Sequence, residues 1–384
     1  MGECIMVGCD LHDKSMLLRV AVDRGEPVTR RGGTTAAGRQ AVIADLGARA
    51  AQAGASRVVL AYEACGFGFR WHDELRAAGI ECCVLAPSKM ERSPHRRKRK
   101  TDEQDAQALL DLVRSHVLAG VPLPAVWVPD LQTRDDRELV RQRLLMAEEA
   151  SRAKVRIHWL LLRSGQESPP AEVWSLAYYR WLRKLAKGGL PAGAAAALGS
   201  LLRQLCGLEK EVARLDRQVK ALSQEPRYAH PAAVLQEEKG VGRLTAMVFL
   251  TELGELGRFA NRQQVGSYLG LTPASFESGQ ADDRKGHITH QGPSRVRKVL
   301  CQAVWSRLRV APQERAAYDR LVRRNPKQKK IAVVARMRSL GVLLWHVGLA
   351  AQRAGGGLRE EGGRCPLSPR AKPRGVGELR AAGP

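Results

Sequence analysis

An α/β N-terminal domain, a middle of long helices and a mainly α C-terminal domain are what this sequence predicts. Three observations carry that expectation. Short apolar runs alternate with helix-periodic stretches over the first third of the chain, a heptad of leucines and valines fills the middle, and glycine-punctuated apolar helices follow.

The elements follow in order. Ile5-Met6-Val7-Gly8-Cys9-Asp10 reads as a buried strand, with residues 16–22 as its hairpin partner. Residues 38–53 carry Val42, Ile43, Leu46 and Ala50 at helical spacing. Residues 57–63 read as a second buried strand, 69–78 as a helix, and 81–86 as a third strand stopped by Pro87. The alternation predicts a largely parallel sheet within a domain of residues 1–130.

Residues 131–228 form the long-helix middle. Leu201, Leu205, Leu208, Val212, Leu215, Val219 and Leu222 step alternately by four and three, and a charged helix-favouring stretch occupies residues 131–163. A break, Gly188-Gly189-Leu190-Pro191-Ala192-Gly193, separates the two. The pattern fits a coiled-coil arm, for self-association or for spanning a nucleic acid, and fits an intramolecular helical hairpin equally. Residues 229–351 read as a compact helical domain, and 352–384, rich in Gly, Pro and Arg without periodicity, as a disordered tail.

Charge narrows the function. Lysine and arginine number 63 against 39 acids, a formal +24. Such an excess repels itself unless a polyanion neutralises it, and nucleic acid is the commonest one. An apolar share of 44% excludes wholesale disorder. No stretch approaches roughly 20 uncharged apolar residues, so no membrane span is expected. The first residues lack a basic-then-apolar leader, and a cytoplasmic protein, nucleoid-associated when acting, is the expectation. Eight cysteines form no CxxC pair, which points to reduced thiols.

Carboxylates supply the first chemistry. Asp10 and Glu63 end two strands, and the C-terminal edge of such a sheet is where α/β proteins bind ligands. Asp102 and Asp105 stand three apart and share one face of a helix capped by Thr101 or Asp102, with Glu103 turned to solvent. Four converging carboxylates repel unless cations sit among them, and hard oxygen donors suit Mg²⁺ or Mn²⁺. The run Arg96, Arg97, Lys98, Arg99 and Lys100 lies just upstream, placed to hold a phosphate backbone. Spacing alone favours the plainer case, unconnected strand-end and helix-surface acids.

Gly8-Cys9-Asp10-Leu11-His12, then Ala61-Tyr62-Glu63-Ala64, then Lys100-Thr101-Asp102-Glu103-Gln104-Asp105-Ala106 resemble, in order and spacing, the DEDD transposases of insertion sequences. That resemblance implies a ribonuclease-H-like, resolvase-like N-terminal domain. In it Asp10, Glu63, Asp102 and Asp105 would be catalytic and would bind the metal.

The second half agrees with the first. Lys239-Gly240-Val241-Gly242 is a Gly-x-Gly turn entering an apolar helix; it resembles a helix-hairpin-helix turn and is also an ordinary helix connection. Tyr268-Leu269-Gly270-Leu271-Thr272-Pro273, Ser278-Gly279, Gly286-His287-Ile288-Thr289 and Arg295-Val296-Arg297-Lys298 are similar, in order, to the C-terminal domain of the same transposases. The resemblance makes Ser278 the nucleophile, with Ser275 and Ser267 as neighbouring alternatives. It also makes Lys285, Arg295, Arg297 and Lys298 contacts to nucleic acid. His290 stands where the family commonly has lysine.

The reading is therefore a DNA transposase acting on donor and target DNA through a metal-assisted seryl-phosphate. The resemblance adds a structured guide RNA and a homo-oligomer, dimer or tetramer. The alternatives are a junction-type nuclease that uses metal and water, and a non-catalytic binder of DNA or RNA.

Overall fold

The computed structural model describes residues 3–90, 101–169, 171–275, 285–324 and 326–354. Two compact units divide the chain between Pro129 and Asp130. The expected tail falls almost wholly outside the described residues, as do Arg96 to Lys100 and Ser278.

The first unit holds β1 (Cys4–Leu11), β2 (Ser15–Val22), β3 (Val28–Gly33), α1 (Ala36–Gln52), β4 (Arg57–Glu63), α2 (Phe69–Ala77), β5 (Glu81–Leu85) and α3 (Asp102–Ala119). The sheet runs β3-β2-β1-β4-β5. β1 pairs parallel with β4 and β4 with β5, while β1–β2 and β2–β3 are antiparallel. The sheet is thus mixed, where the alternation of strand and helix suggests a largely parallel one. Its extra antiparallel strand, β3, reads Val-Thr-Arg-Arg-Gly-Gly with no buried residue. An edge strand facing water carries no apolar alternation to reveal it.

Alternation along β1 sorts its residues into two cores. Ile5, Val7 and Cys9 join Leu60 and Tyr62 against Val42 and Leu46 of α1 and Trp71 and Leu75 of α2. Cys4 and Met6 join Val59, Ala61, Cys83 and Leu85 against Leu109, Leu110 and Val113 of α3. Helix α3 therefore packs on this face of the sheet, across β1, β2 and β4.

The second unit begins with α4 (Leu131–Arg163), α5 (Leu176–Lys184) and α6 (Ala192–Leu222), with a π-helical turn at Leu185–Gly189 running into the predicted break. All seven heptad residues of α6 are buried or half-buried within the single chain. Leu198 and Leu205 pack with Ala153, Ile157 and Leu161 of α4, and Arg143 grips Asp216 through two hydrogen bonds of 2.8 and 3.0 Å. Of the two arrangements open from the sequence, α4 and α6 form the intramolecular hairpin.

Next come α7 (Ala229–Glu237), α8 (Arg243–Leu253), α9 (Arg262–Tyr268), the hairpin strands β6 (Pro273–Ser275) and β7 (Lys285–Ile288), α10 (Ser294–Val310), α11 (Pro312–Arg324) and α12 (Lys329–Ala354). Phe249 and Leu250 of α8, Leu300 of α10 and Leu340 and Leu344 of α12 anchor the core. Arg137 donates to the Thr251 and Glu252 carbonyls at 2.6 and 2.9 Å, and Arg141 binds the buried Glu252 carboxylate at 2.7 and 2.9 Å. Helix α12 is long and apolar enough, by length and composition, to cross a membrane, which the sequence reading does not anticipate. Six of its residues, Ala332, Val333, Met337, Leu340, Leu344 and Trp345, are buried in this core. The seven cysteines of the described residues are free thiols.

Candidate metal centre at the sheet edge

Register brings the first two acids together. Cys9 pairs with Tyr62 in the parallel ladder, and the next step sets Asp10 of β1 beside Glu63 of β4. Strand alternation puts both on the face that α3 covers, since Met6, Val59 and Ala61 lie there. Tyr62 is buried on the opposite face and donates its hydroxyl to the Gly68 carbonyl at 2.7 Å, which fixes the chain just after Glu63.

Helix α3 brings the other two. Thr101 caps it, accepting from the Gln104 amide at 3.3 Å, and Asp102, Glu103 and Asp105 occupy the first turn, where the helix dipole favours negative charge. Gly8 lets this turn approach: a Cβ there would lie 2.1 Å from the Ala106 carbonyl oxygen and 2.2 Å from the Leu110 nitrogen. Arg19 of β2 ties the helix down through Gln107 Oε1 at 3.0 Å. Glu103 is exposed as expected and lies 3.7 Å from Arg31.

The geometry adds a residue that the sequence reading does not assign. His12 Nε2 stands 3.1 Å from Asp10 Oδ2 and 3.8 Å from Asp102 Oδ1. These three side chains offer ligand atoms all within 4.8 Å of one another. The His12 amide donates to the Ser15 carbonyl at 2.9 Å, closing the β1–β2 turn. It lies one residue past the end of β1, where strand alternation no longer marks a face, so the sequence alone gives no signal for it.

Electrostatics tie the acids together. Burial lifts the Asp10 carboxyl above its ordinary range, the charge and hydrogen bond of His12 draw it down, and the charges of Asp105 and Asp102 push it up. An arrangement that penalises bare negative charge and presents several oxygens and a nitrogen suits a divalent cation. The residues present fit such an ion.

The candidate nucleic-acid contacts divide. Arg295 is exposed at the start of α10. Lys298 lies 2.6 Å from Glu148 of α4. Arg297 Nη1 donates to the carbonyls of Leu269, Gln291 and Gly292 at 3.1, 3.3 and 3.2 Å, binding the turn after α9 to the turn before α10. That junction needs glycines: Gly270 and Gly292 have φ of +66° and +86°, and a Cβ on Gly292 would lie 1.8 Å from the Tyr268 carbonyl oxygen. His290 sits in the same turn, exposed, at φ +53°. Lys285 opens β7, which pairs antiparallel with β6. Ser275 ends β6 and Ser267 lies within α9.

The Gly240 turn packs inward. A Cβ on Gly240, at φ +84°, would lie 2.7 Å from the Ala303 carbonyl oxygen, and Arg307 donates to the Lys239 carbonyl at 3.1 Å. Its first glycine thus serves helix packing against α10, and Gly242 is the N-cap residue of α8.

Comparison with known proteins bears on both halves. Residues 7–164 match a family model for the DEDD transposase of IS110, and residues 232–319 match the Transposase IS116/IS110/IS902 family. The transposase candidate y4rJ of Sinorhizobium fredii is 31% identical over 296 residues, covering 72% of this chain and 74% of its own. Candidate y4qE of the same organism is 32% identical over 253 residues, 65% of this chain and 58% of its own length. The transposase for insertion sequence element IS1533 of Leptospira borgpetersenii is 24% identical over 246 residues, covering 64% and 69%. By these matches the chain belongs to the IS116/IS110/IS902 family of transposases, the enzymes that cut and transfer the DNA of insertion sequences.

Proposed function

We propose that this protein recombines donor and target DNA, with Asp10, Glu63, Asp102 and Asp105 holding Mg²⁺ or Mn²⁺ and Ser278 attacking the strand. The observation that carries the metal site is the seating of α3 on Gly8, which brings the first turn of that helix to Asp10. The mixed sheet with acids at its strand ends supports a ribonuclease-H-like assignment for the first unit.

When bound there, a divalent cation polarises a phosphodiester and stabilises charge on its oxygens. The four carboxylates would hold that cation at the sheet edge and offset its charge. Ser278 Oγ forms a bond to phosphorus and gives up its proton, while the bond to one sugar oxygen breaks and that oxygen takes a proton. A hydroxyl of the partner strand then attacks the seryl-phosphate, and the serine is released without ATP. The excess of 24 positive charges supports contacts to DNA and to a structured guide RNA. Recombination joins four strand ends, so a homo-oligomer, dimer or tetramer, is part of the proposal.

Asp102→Ala and Ser278→Ala, made separately and assayed for donor–target junctions, test this reading. Both are expected to abolish junctions, and recombination at the wild-type rate by either variant contradicts it. Metal-dependent cleavage with no protein-linked DNA would instead identify a nuclease that uses water.

A further inference from the structure

His12 is the one member of the sheet-edge cluster to which the four-carboxylate reading gives no task. It stands in the β1–β2 turn, one residue past the end of β1, its backbone fixed by the bond to Ser15. Its Nε2 reaches toward two of the four acids at once, 3.1 Å from Asp10 and 3.8 Å from Asp102. Two ligands about 2.1 Å from an octahedral cation stand about 3.0 Å apart when adjacent and about 4.2 Å apart when opposite. Both observed separations fall within that span. The side chain is 46% exposed, so it can turn onto an ion without disturbing the core.

We infer that His12 is itself a ligand of the cation, binding through Nε2, and that the resulting imidazole–carboxylate set favours Mn²⁺ over Mg²⁺. The inference rests on the carboxylate site proposed above and extends it. Mg²⁺ is hard and takes oxygen almost alone, whereas first-row transition ions accept imidazole nitrogen readily. A nitrogen at this position therefore adds more to Mn²⁺ binding than to Mg²⁺ binding. The competing arrangement is a plain ion pair in which His12 only neutralises Asp10; it places no nitrogen on the ion.

The test uses the full chain with Mn²⁺ alone, read by electron spin-echo modulation, and separate calorimetric titrations with Mn²⁺ and Mg²⁺. Directly bound imidazole gives ¹⁴N modulation in the wild type, and His12→Ala and His12→Gln remove it. His12→Ala is expected to weaken Mn²⁺ about tenfold and Mg²⁺ by no more than about threefold. Absence of ¹⁴N modulation in the wild type, or an equal change for both ions, overturns the inference. Asp10→Asn and Asp102→Asn separate the two claims. If both still bind the ions as the wild type does, the carboxylate site itself falls; if they lose both ions while His12→Ala alters neither, only the role of the histidine falls.

Discussion

Gly8 and Ala106 are in backbone contact: the Ala106 carbonyl oxygen occupies the space a side chain at residue 8 would need. A glycine in the middle of a buried strand is ordinarily unfavourable, because it has nothing to pack and loses the most freedom on folding. Here the missing side chain is what lets α3 lie on the sheet. The helix then delivers Asp102 and Asp105 to Asp10.

Gly8→Ala is accordingly expected to act on stability and on the metal together. Overpacking against backbone cannot be relieved by a rotamer change, so a loss of about 3 kcal/mol is expected from urea unfolding. Stabilisation of the protein by added Mn²⁺, read as a rise in melting temperature, should disappear with it. An alanine variant of unchanged midpoint and unchanged metal response would show that α3 does not depend on this contact.

Arg297 should behave as a structural residue. Its guanidinium serves three carbonyls, and burial lowers its pKa. Arg297→Ala is expected to cost about 1–3 kcal/mol in urea unfolding. Arg295→Ala, at an exposed position, should leave the midpoint unchanged and reduce the salt slope of DNA binding by about one. The opposite pattern would return Arg297 to the phosphate contacts.

Glu74 gives the first unit a pH dependence. The hydrogen bonds from Arg39, at 2.5 and 2.8 Å, hold its carboxyl below the usual glutamate range, against a smaller opposing effect of burial. A carboxyl depressed in the folded state contributes stability that is fully present above its unfolded value of about 4.3 and is lost as pH falls through the folded value. Glu74→Gln should therefore destabilise at pH 7 and converge with the wild type in acid. A difference that stays constant from pH 7 to pH 3 would contradict the assignment.

Much of this was legible in the sequence because burial writes a period. β1, β4 and β5 are apolar on both faces and stand out, and the heptad of α6 marks a helix that must be covered. What covers it was not legible, since a leucine seam packs equally well on a neighbouring helix or on another chain. β3 escaped because an exposed edge strand of arginine and glycine has no apolar face. The carboxylates could be placed by motif and strand end, but His12 needed coordinates: its distance to Asp102 depends on how far Gly8 lets α3 approach. The structural part of Arg297 also needed coordinates, because the carbonyls it holds belong to two turns more than twenty residues apart in sequence.

The measurement closest to the central claim is to trap this protein on labelled donor DNA with and without divalent cation. The account predicts a covalent adduct that needs the cation, vanishes in Ser278→Ala, and vanishes again in Asp102→Ala although the serine is intact. An adduct that forms in Asp102→Ala, or in the wild type after the ion is chelated, would mean that the acids at the sheet edge and the serine do not work on the same bond.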